Sequence, residues 1–402
     1  MEKKRVLILG IDGYIGWALG NYLLQSGNYE IAGVDDASRR RRVAEVKSES
    51  LTPISPIIGR RSELRNIPGF IDWINISLGS DQANYIRSVL KDIKPDTIIH
   101  LAEQPSAPWS MRDVNFASAT QLDNVIGTLH LLWAMKAECP SAHLIKLGTM
   151  GEYGTPECDI PEGIIPGQCL SRIHVLDAGQ DSTEYRKIPC PMQGLPFPRT
   201  PGSFYHLSKV HDTHNIIFSC RTWGLTATDI MQGVVFGVEF GTRFDYDQYF
   251  GTVINRFCAQ AISGRPLTVY GEGNQTRGYL PLRDSIQCLT IAINKPPQPG
   301  EYRTLNQFEH IYSVNHLAAL VQEVCPTPVS IAHIPNPRTE AESHYYNPAH
   351  QKLFDLGYKP SHDIRGEIEH LIEILLPYKE NVKPGIILPT TTWRDGDEQG
   401  EK

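Results

Sequence analysis

The sequence predicts an α/β fold, a doubly wound parallel sheet joined to a smaller mixed α/β substrate domain. Three observations point to it. Short apolar runs alternate with longer amphipathic segments through the first half. The first run ends in Gly10-Ile-Asp-Gly13-Tyr-Ile-Gly16, and after Gly237 the pattern turns to helices with short strands. Continuous apolar strands separated by helices imply a parallel sheet covered on both faces.

Taken in order, residues 5–9 read as the first strand, and the Gly-rich turn opens a helical pattern over residues 14–25. Strands follow at 30–34, 70–74, 97–100 and 143–147, with helices at 82–93 and 115–137 between them. Residues 39–68 are less regular. Residues 155–201, long and rich in Pro and Gly, are expected to be a structureless excursion over the active site. This divides the chain into a cofactor-binding and catalytic domain at 1–231, with 279–306 returning to it, a substrate domain at 232–378 and a tail at 379–402.

Composition excludes several classes. A chain of 402 residues exceeds what one hydrophobic core usually supports. With 41% hydrophobic and 21% charged residues it is not a disordered chain. Its longest apolar runs, such as 6–11, fall far short of the ~20 residues that span a bilayer, so no membrane association is expected. The net charge of -7 is opposite in sign to that of a general nucleic-acid binder. The start reads as a first strand, because Gly10 and Asp12 break its apolar run and no small-residue cleavage site follows. Eight cysteines with no C-x-x-C pair argue against a zinc site or a disulfide framework, so no metal and a reducing cytoplasm are expected. The polar, acidic stretch 390–402 is expected to fray.

The glycines of the first turn let the backbone bend sharply and approach a pyrophosphate, while the helix N-terminus supplies amide donors. Asp35 and Asp36 end the second strand, and Asp35 stands 19 residues beyond Gly16. An acid there binds ribose hydroxyls and repels a 2′-phosphate, which favours NAD over NADP in a Rossmann-type domain. The run Arg39-Arg40-Arg41-Arg42 could meet cofactor phosphates, offset the acid and admit NADP, or be solvated surface. In Tyr205-His-Leu-Ser-Lys209 the tyrosine and lysine share one helix face. A neighbouring ammonium stabilises phenolate, so Tyr205 can act as a base near neutral pH. Thr149 ends the fifth strand at the sheet edge where ligands bind.

Together these residues resemble the extended short-chain dehydrogenase/reductase family, which acts largely on nucleotide sugars. Asn124-Val-Ile-Gly-Thr128 is similar to that family's helix motif. Further segments resemble a branch that joins sulfite to UDP-glucose. They are Glu49-Ser-Leu-Thr-Pro-Ile54, Leu147-Gly-Thr-Met-Gly-Glu-Tyr-Gly-Thr155, Ser203-Phe-Tyr-His-Leu-Ser-Lys-Val-His-Asp212, Gln232-Gly-Val-Val235 and Phe250-Gly-Thr252. Leu267-Thr-Val-Tyr-Gly271, Thr276-Arg-Gly-Tyr279, Pro335-Asn-Pro-Arg338 and His344-Tyr-Tyr-Asn347 continue the match almost to the end.

The resemblance implies an enzyme that forms UDP-6-sulfo-6-deoxyglucose from UDP-glucose and sulfite with NAD. The implied route is C4 oxidation, loss of the C6 hydroxyl, sulfite addition and return of the hydride. The alternative is another UDP-sugar enzyme such as a 4-epimerase. For NAD it implies Gly10, Gly13, Tyr14, Ile15, Gly16, Asp35, Asp36, Arg39, Asn75, Ile76, Leu101, Gln104, Asn124, Tyr205, Lys209 and Val235. For catalysis it implies Thr149, Tyr205 and Lys209, with His206 as a candidate proton donor or sulfite holder. For the sugar nucleotide it implies Gln104, Thr149, Gln232, Thr268, Tyr270, Arg277, Arg338 and Glu340. A homodimer or higher homo-oligomer is expected. Three departures stand out. Sugar 4,6-dehydratases carry Asp and Glu after the threonine, where this chain has Met150 and Gly151, which cannot transfer protons. Plant-type relatives carry Arg at the position of Pro105, and Asn75 replaces the Asp that meets adenine.

Overall fold

The computed structural model describes residues 3–79, 83–166, 171–177, 183–189, 194–390 and 392–393. Its centre is a seven-stranded parallel sheet. From one edge the order is Tyr302–Gln307, Thr226–Gln232, His143–Thr149, Thr97–His100, Lys4–Leu9, Tyr29–Val34 and Phe70–Ile74. The first strand illustrates why both faces are covered. Val6 and Ile8 pack on one side, with the helices Tyr14–Gln25 and Leu282–Asn294. Leu7 and Leu9 pack on the other, with Ala83–Ile93, Gly127–Glu138 and Phe204–Trp223. An unbroken apolar run is what such a strand requires.

Strand order reverses between Lys4–Leu9 and Thr97–His100, and a crevice opens at their carboxyl ends. Thr149 ends a neighbouring strand on the same edge. The predicted strands and the helix Tyr14–Gln25 are present, the fifth strand running on to Thr149.

Two expectations need correction. The helix expected over 115–137 is broken into Val114–Gln121, a π-helical stretch Leu122–Ile126 and Gly127–Glu138. Such widened turns occur where a side chain has a job off the helix axis, and here it is Asn124. Its buried amide accepts from the Gln104 N–H (2.7 Å) and donates to Gln104 O (3.1 Å) and Ser208 Oγ (2.8 Å). The stretch expected to be structureless carries two antiparallel pairs, Ile164–Pro166 with Gly194–Pro196 and Ser171–Asp177 with Thr183–Pro189. Period-2 alternation in these short strands is masked by their polar residues and bounding prolines.

A second core gathers Phe236, Phe244, Ile254, Phe257, Leu317 and Leu371. Around it lie two small sheets. In one, Thr276–Pro281 pairs parallel with Val234–Phe236 and antiparallel with His310–Ser313. In the other, Leu267–Tyr270 runs parallel to Ile331–Ile334. The chain thus leaves the main sheet after Gln232 and returns to it at Tyr302–Gln307. No helix among the described residues is long and apolar enough to cross a membrane. Among the described cysteines Cys139, Cys158, Cys220, Cys258, Cys288 and Cys325 are free, whereas Cys169 and Cys190 lie outside the described residues. In the tail, Thr390 N–H donates to Gln248 Oε1 (2.6 Å) and Trp393 N–H to Pro337 O (2.9 Å). That part of the stretch expected to fray is anchored.

Candidate active site

The crevice holds a cavity of about 370 Å³. Its floor is the Gly-rich turn. Gly10 sits at φ 89°, in the left-handed region, and a Cβ there would lie 2.8 Å from the Leu101 carbonyl. A Cβ on Gly16 would lie 2.0 Å from Gly10 O. Only hydrogen fits at either position. The helix Tyr14–Gln25 has no side chain capping its N-terminus, so its first amides are open to a ligand.

At the far end of the cavity lie Asp35 and Asp36. Asp35 accepts from the N–H groups of Asp12 (2.8 Å) and Ala37 (2.7 Å), and burial, with Asp12 beside it, pushes its carboxyl up to about 7. The arginine run is neither free nor merely solvated. Arg39 pairs with Asp245 (2.7 Å) and stacks on Phe250, and Arg40 pairs with Asp12 (2.5 Å). Arg41 pairs with Asp36 (3.2 Å), and Arg42 with Asp123. Each guanidinium therefore has an acid partner, Asp245 being shared with Arg243 and Asp12 with Arg60.

At the reacting end, the fifth strand delivers Thr149 and the helix Phe204–Trp223 delivers Tyr205, His206 and Lys209. Ser203 caps that helix, its Oγ accepting from the His206 N–H (3.2 Å). Thr149 and Tyr205 both line the cavity, Thr149 Oγ1 accepting from the Gly151 N–H (3.1 Å). Burial, with Glu152 and Asp212 nearby, pushes the Tyr205 phenol up, and the Thr149 side chain acts in the opposite direction. Burial draws the Lys209 ammonium down to about 8, against Asp212 and Asp229. Burial also holds His206 neutral, its pKa lowered to about 3, with the positive charges of Arg338 and Arg277 acting in the same direction. Its Nδ1 meets Ser203 Oγ at 3.0 Å, while a Cβ on Gly151 would lie 2.4 Å from its Nε2. The imidazole occupies the volume that a side chain at residue 151 would need.

Of the residues expected from sequence, the cavity brings together Gly10, Gly13, Tyr14, Ile15, Gly16, Asp35, Asp36, Arg39, Ile76, Leu101, Thr149, Tyr205, His206, Lys209, Gln232 and Val235. Asn75, Gln104 and Asn124 are not in its wall. Gln104 is turned into the protein, where its Nε2 donates to Ser106 O (3.0 Å) and Thr120 Oγ1 (2.8 Å). Thr268, Tyr270, Arg277, Arg338 and Glu340 belong to the second lobe. Thr268 is tied to Gln260 (2.9 Å), Tyr270 lies under Arg256, and Arg277 pairs with Glu340 (2.9 Å). Gln232 reaches Ser285 Oγ (2.8 Å) and Gln307 Oε1 (2.9 Å). Pro105 does line the cavity, leaving an apolar surface at the position of the relatives' arginine.

Sequence reasoning missed several groups. Glu103 lines the cavity and forms an ion pair with Lys209. Beneath them lies a fully buried cluster of Lys146, Glu152, Asp229 and Thr213, reached from one side by Arg199. The available signal was a charge inside an apolar strand, Lys146 in His-Leu-Ile-Lys-Leu and Asp229 in Thr-Asp-Ile-Met, since such a charge must be paired.

The open helix N-terminus, the glycine cradle and the acid at the second strand suit a dinucleotide. Residues 6–306 match the model of the NAD dependent epimerase/dehydratase family. The chain is 44% identical over 405 residues to the chloroplastic UDP-sulfoquinovose synthase of Spinacia oleracea, covering 98% of this chain and 80% of that protein. It is 42% identical to the UDP-sulfoquinovose synthase of Sulfolobus acidocaldarius, covering 97% of this chain and 98% of that one. Among solved structures it resembles the UDP-glucose 4-epimerase of Thermotoga maritima, with TM-score 0.69 and 18% identity over 94% of this chain and all of that one. It also resembles the UDP-glucuronic acid 4-epimerase of Bacillus cereus, with TM-score 0.68 and 19% identity over 92% of this chain and 98% of that one. At that identity the likeness shows the fold. The chain belongs to the NAD dependent epimerase/dehydratase family, on its UDP-sulfoquinovose synthase branch.

Proposed function

We propose that this chain converts UDP-glucose and sulfite into UDP-sulfoquinovose and water. The observation that carries the reading is the placement of His206. Its Nε2 fills the space beside Gly151, where a dehydratase would present a carboxyl, and it sits next to the Thr149–Tyr205–Lys209 group. Gly10, Gly13, Gly16 and the open amides of the first helix would hold the pyrophosphate of NAD, and Asp35 and Asp36 would meet its adenosine ribose. When bound, NAD supplies a reversible hydride acceptor, so oxidation and reduction cancel over the cycle.

Tyr205 takes the C4 hydroxyl proton, Thr149 steadies the oxygen, and Lys209 stabilises the phenolate. The resulting 4-ketone acidifies C5–H. Loss of that proton and of the C6 hydroxyl as water leaves a conjugated enone. His206, neutral and held by Ser203 at Nδ1, is placed to take that C5 proton at Nε2 and deliver it to the departing C6 oxygen. Sulfite then adds at C6 through sulfur, C5 regains a proton, and Tyr205 returns its proton to C4 oxygen. Arg277 and Arg338 face the diphosphate in this reading.

The exposed apolar residues Val114, Leu122, Trp133, Phe204 and Phe218 support a homodimer joined through these helices. The free cysteines fit a reducing compartment. Incubation with UDP-glucose and sulfite, followed by mass analysis of the sugar nucleotide, tests the proposal. A product whose formation and mass depend on sulfite is expected. UDP-galactose formed regardless of sulfite would favour a 4-epimerase instead.

A further inference from the structure

We propose that Glu103 is a positioning residue for the catalytic pair, its carboxylate pinning the Lys209 ammonium to the cavity wall and keeping it protonated. The inference rests on the reading that Tyr205 and Lys209 handle the C4 proton.

Glu103 stands just beyond the fourth strand. The backbone there is fixed by Leu101 N–H to Leu9 O (2.9 Å) and Glu103 N–H to Leu101 O (3.0 Å). The two side chains of the ion pair are 4% and 3% exposed, so water does not screen it. Glu103 Oε1 has no hydrogen-bond partner among the described residues, and His100 Nε2 approaches it only to 3.8 Å. His100 is neutral, its pKa lowered to about 3 by burial. The carboxylate is thus committed to Lys209.

Lysine has a flexible four-carbon stem and loses its proton readily when buried. Asp212 and Asp229 also favour the ammonium against burial, but among the described residues neither forms an ion pair with Lys209. Asp212, on the same helix, has its carboxyl raised to about 6 by burial. Asp229, on the strand Thr226–Gln232, and Glu152, in the turn after Thr149, are engaged with Lys146. Glu103 is the acid in direct contact. It fixes the ammonium in position while burial, Glu152 and Asp212 together resist ionisation of Tyr205.

Two measurements test this. The first mixes the NAD-loaded enzyme with UDP-glucose, without sulfite, and follows nicotinamide reduction against pH. In Glu103→Gln the high-pH limb should move down by roughly one to three units, the range for losing an opposite charge in contact. Just above the new limb, the rate should fall about tenfold per unit. The second follows the Lys209 titration directly by NMR of ε-labelled lysine, assigned with Lys209→Gln. It should shift in the same direction as the rate limb. An unmoved Lys209 titration in a folded Glu103→Gln overturns the proposal, whatever product the enzyme makes. Absence of any reduction by UDP-glucose in the wild type would instead overturn the functional reading, leaving the NMR result to decide on Glu103. Should Glu103→Gln fail to fold, Glu103→Asp keeps the charge and loses reach. A smaller shift in the same direction sustains the proposal, and none overturns it.

Discussion

Replacing Gly151 by alanine tests the placement of His206 with a single methyl group. The added Cβ would lie 2.4 Å from His206 Nε2, 2.5 Å from Cδ2 and 3.0 Å from Cε1. Ordinary contacts of this kind begin near ~3.5 Å, so the ring must withdraw by about 1 Å. Alanine itself is not strained there, since Gly151 does not adopt a positive φ. The ring has little freedom to yield, because Ser203 holds Nδ1 at 3.0 Å and Tyr205 lies with its centroid 5.1 Å away. Misplacing a reacting group by about 1 Å costs on the order of 10²-fold in rate, or roughly 2.7 kcal/mol of barrier. Thr149, Tyr205 and Lys209 are untouched. Sulfite-dependent product should therefore fall by about that factor, while reduction of bound NAD by UDP-glucose stays within roughly threefold. Rapid-mixing absorbance reads the second quantity and mass analysis the first. Wild-type product formation, or equal loss of both steps, would refute the assignment of the later proton transfer to His206.

Tyr205→Phe and Lys209→Ala are each expected to abolish turnover while NAD remains bound, which product assays and the nucleotide content of the purified variants will check. Lys146→Met leaves Glu152 and Asp229 without their buried cation and should cost roughly 3–5 kcal/mol in urea unfolding; a loss under about 1 kcal/mol would show the cluster to be dispensable. His100, His143 and His206 are each lowered from 6.5 to about 3 by burial. The unfolded chain therefore binds protons that the folded chain refuses, and stability should decline as pH falls from 6.5 toward 3. His143→Gln, which can keep a bond to Thr228, should flatten the melting-temperature curve over that range. Trp133→Glu with Phe218→Glu places charge on side chains that are 58% and 60% exposed, and light scattering should report a smaller particle with little loss of monomer stability.

What was legible in the sequence was local. Gly10 and Gly16 announce a close backbone approach by their spacing around one turn, and Tyr205 and Lys209 announce a shared helix face. Thr149 is visible because an apolar run stops there. Pairings across the chain carried no such mark. Arg39 finds its acid at Asp245 and Arg42 finds Asp123, so a run that read as surface or phosphate clamp is compensated by residues far away in sequence. The resemblance implies Gln104 as a ligand contact. Its amide is spent on Ser106 and Thr120, because the π-helical stretch brings Asn124 against that loop and fixes its direction.

The buried cluster explains why the reacting groups stay in register. Thr149 and Tyr205 come from different elements, a strand end and a helix N-terminus, and acting on one sugar oxygen needs the two held at a fixed separation. Lys146, three residues before Thr149, uses its three N–H donors on Glu152 Oε1 (3.1 Å), Thr213 Oγ1 (2.9 Å) and the main-chain carbonyl of Lys209 (3.1 Å). Two of those acceptors sit on the catalytic helix. Thr213 in turn lies 2.6 Å from Asp229 and 3.0 Å from Glu152, and its single proton can serve only one of them. Arg199 and Tyr302 complete the coordination, Arg199 at Glu152 and Tyr302 at Asp229 (3.0 Å). A floor of apolar side chains would pack as well, but it would let the helix slide along the strand. Charged groups with directional bonds resist sliding, because any shift leaves a buried charge unpaired. The same logic extends upward to Glu103. Arg277 is paired with Glu340 while Arg338 lies over Trp393, so what an anion meets here depends on single placed groups more than on the overall charge of -7.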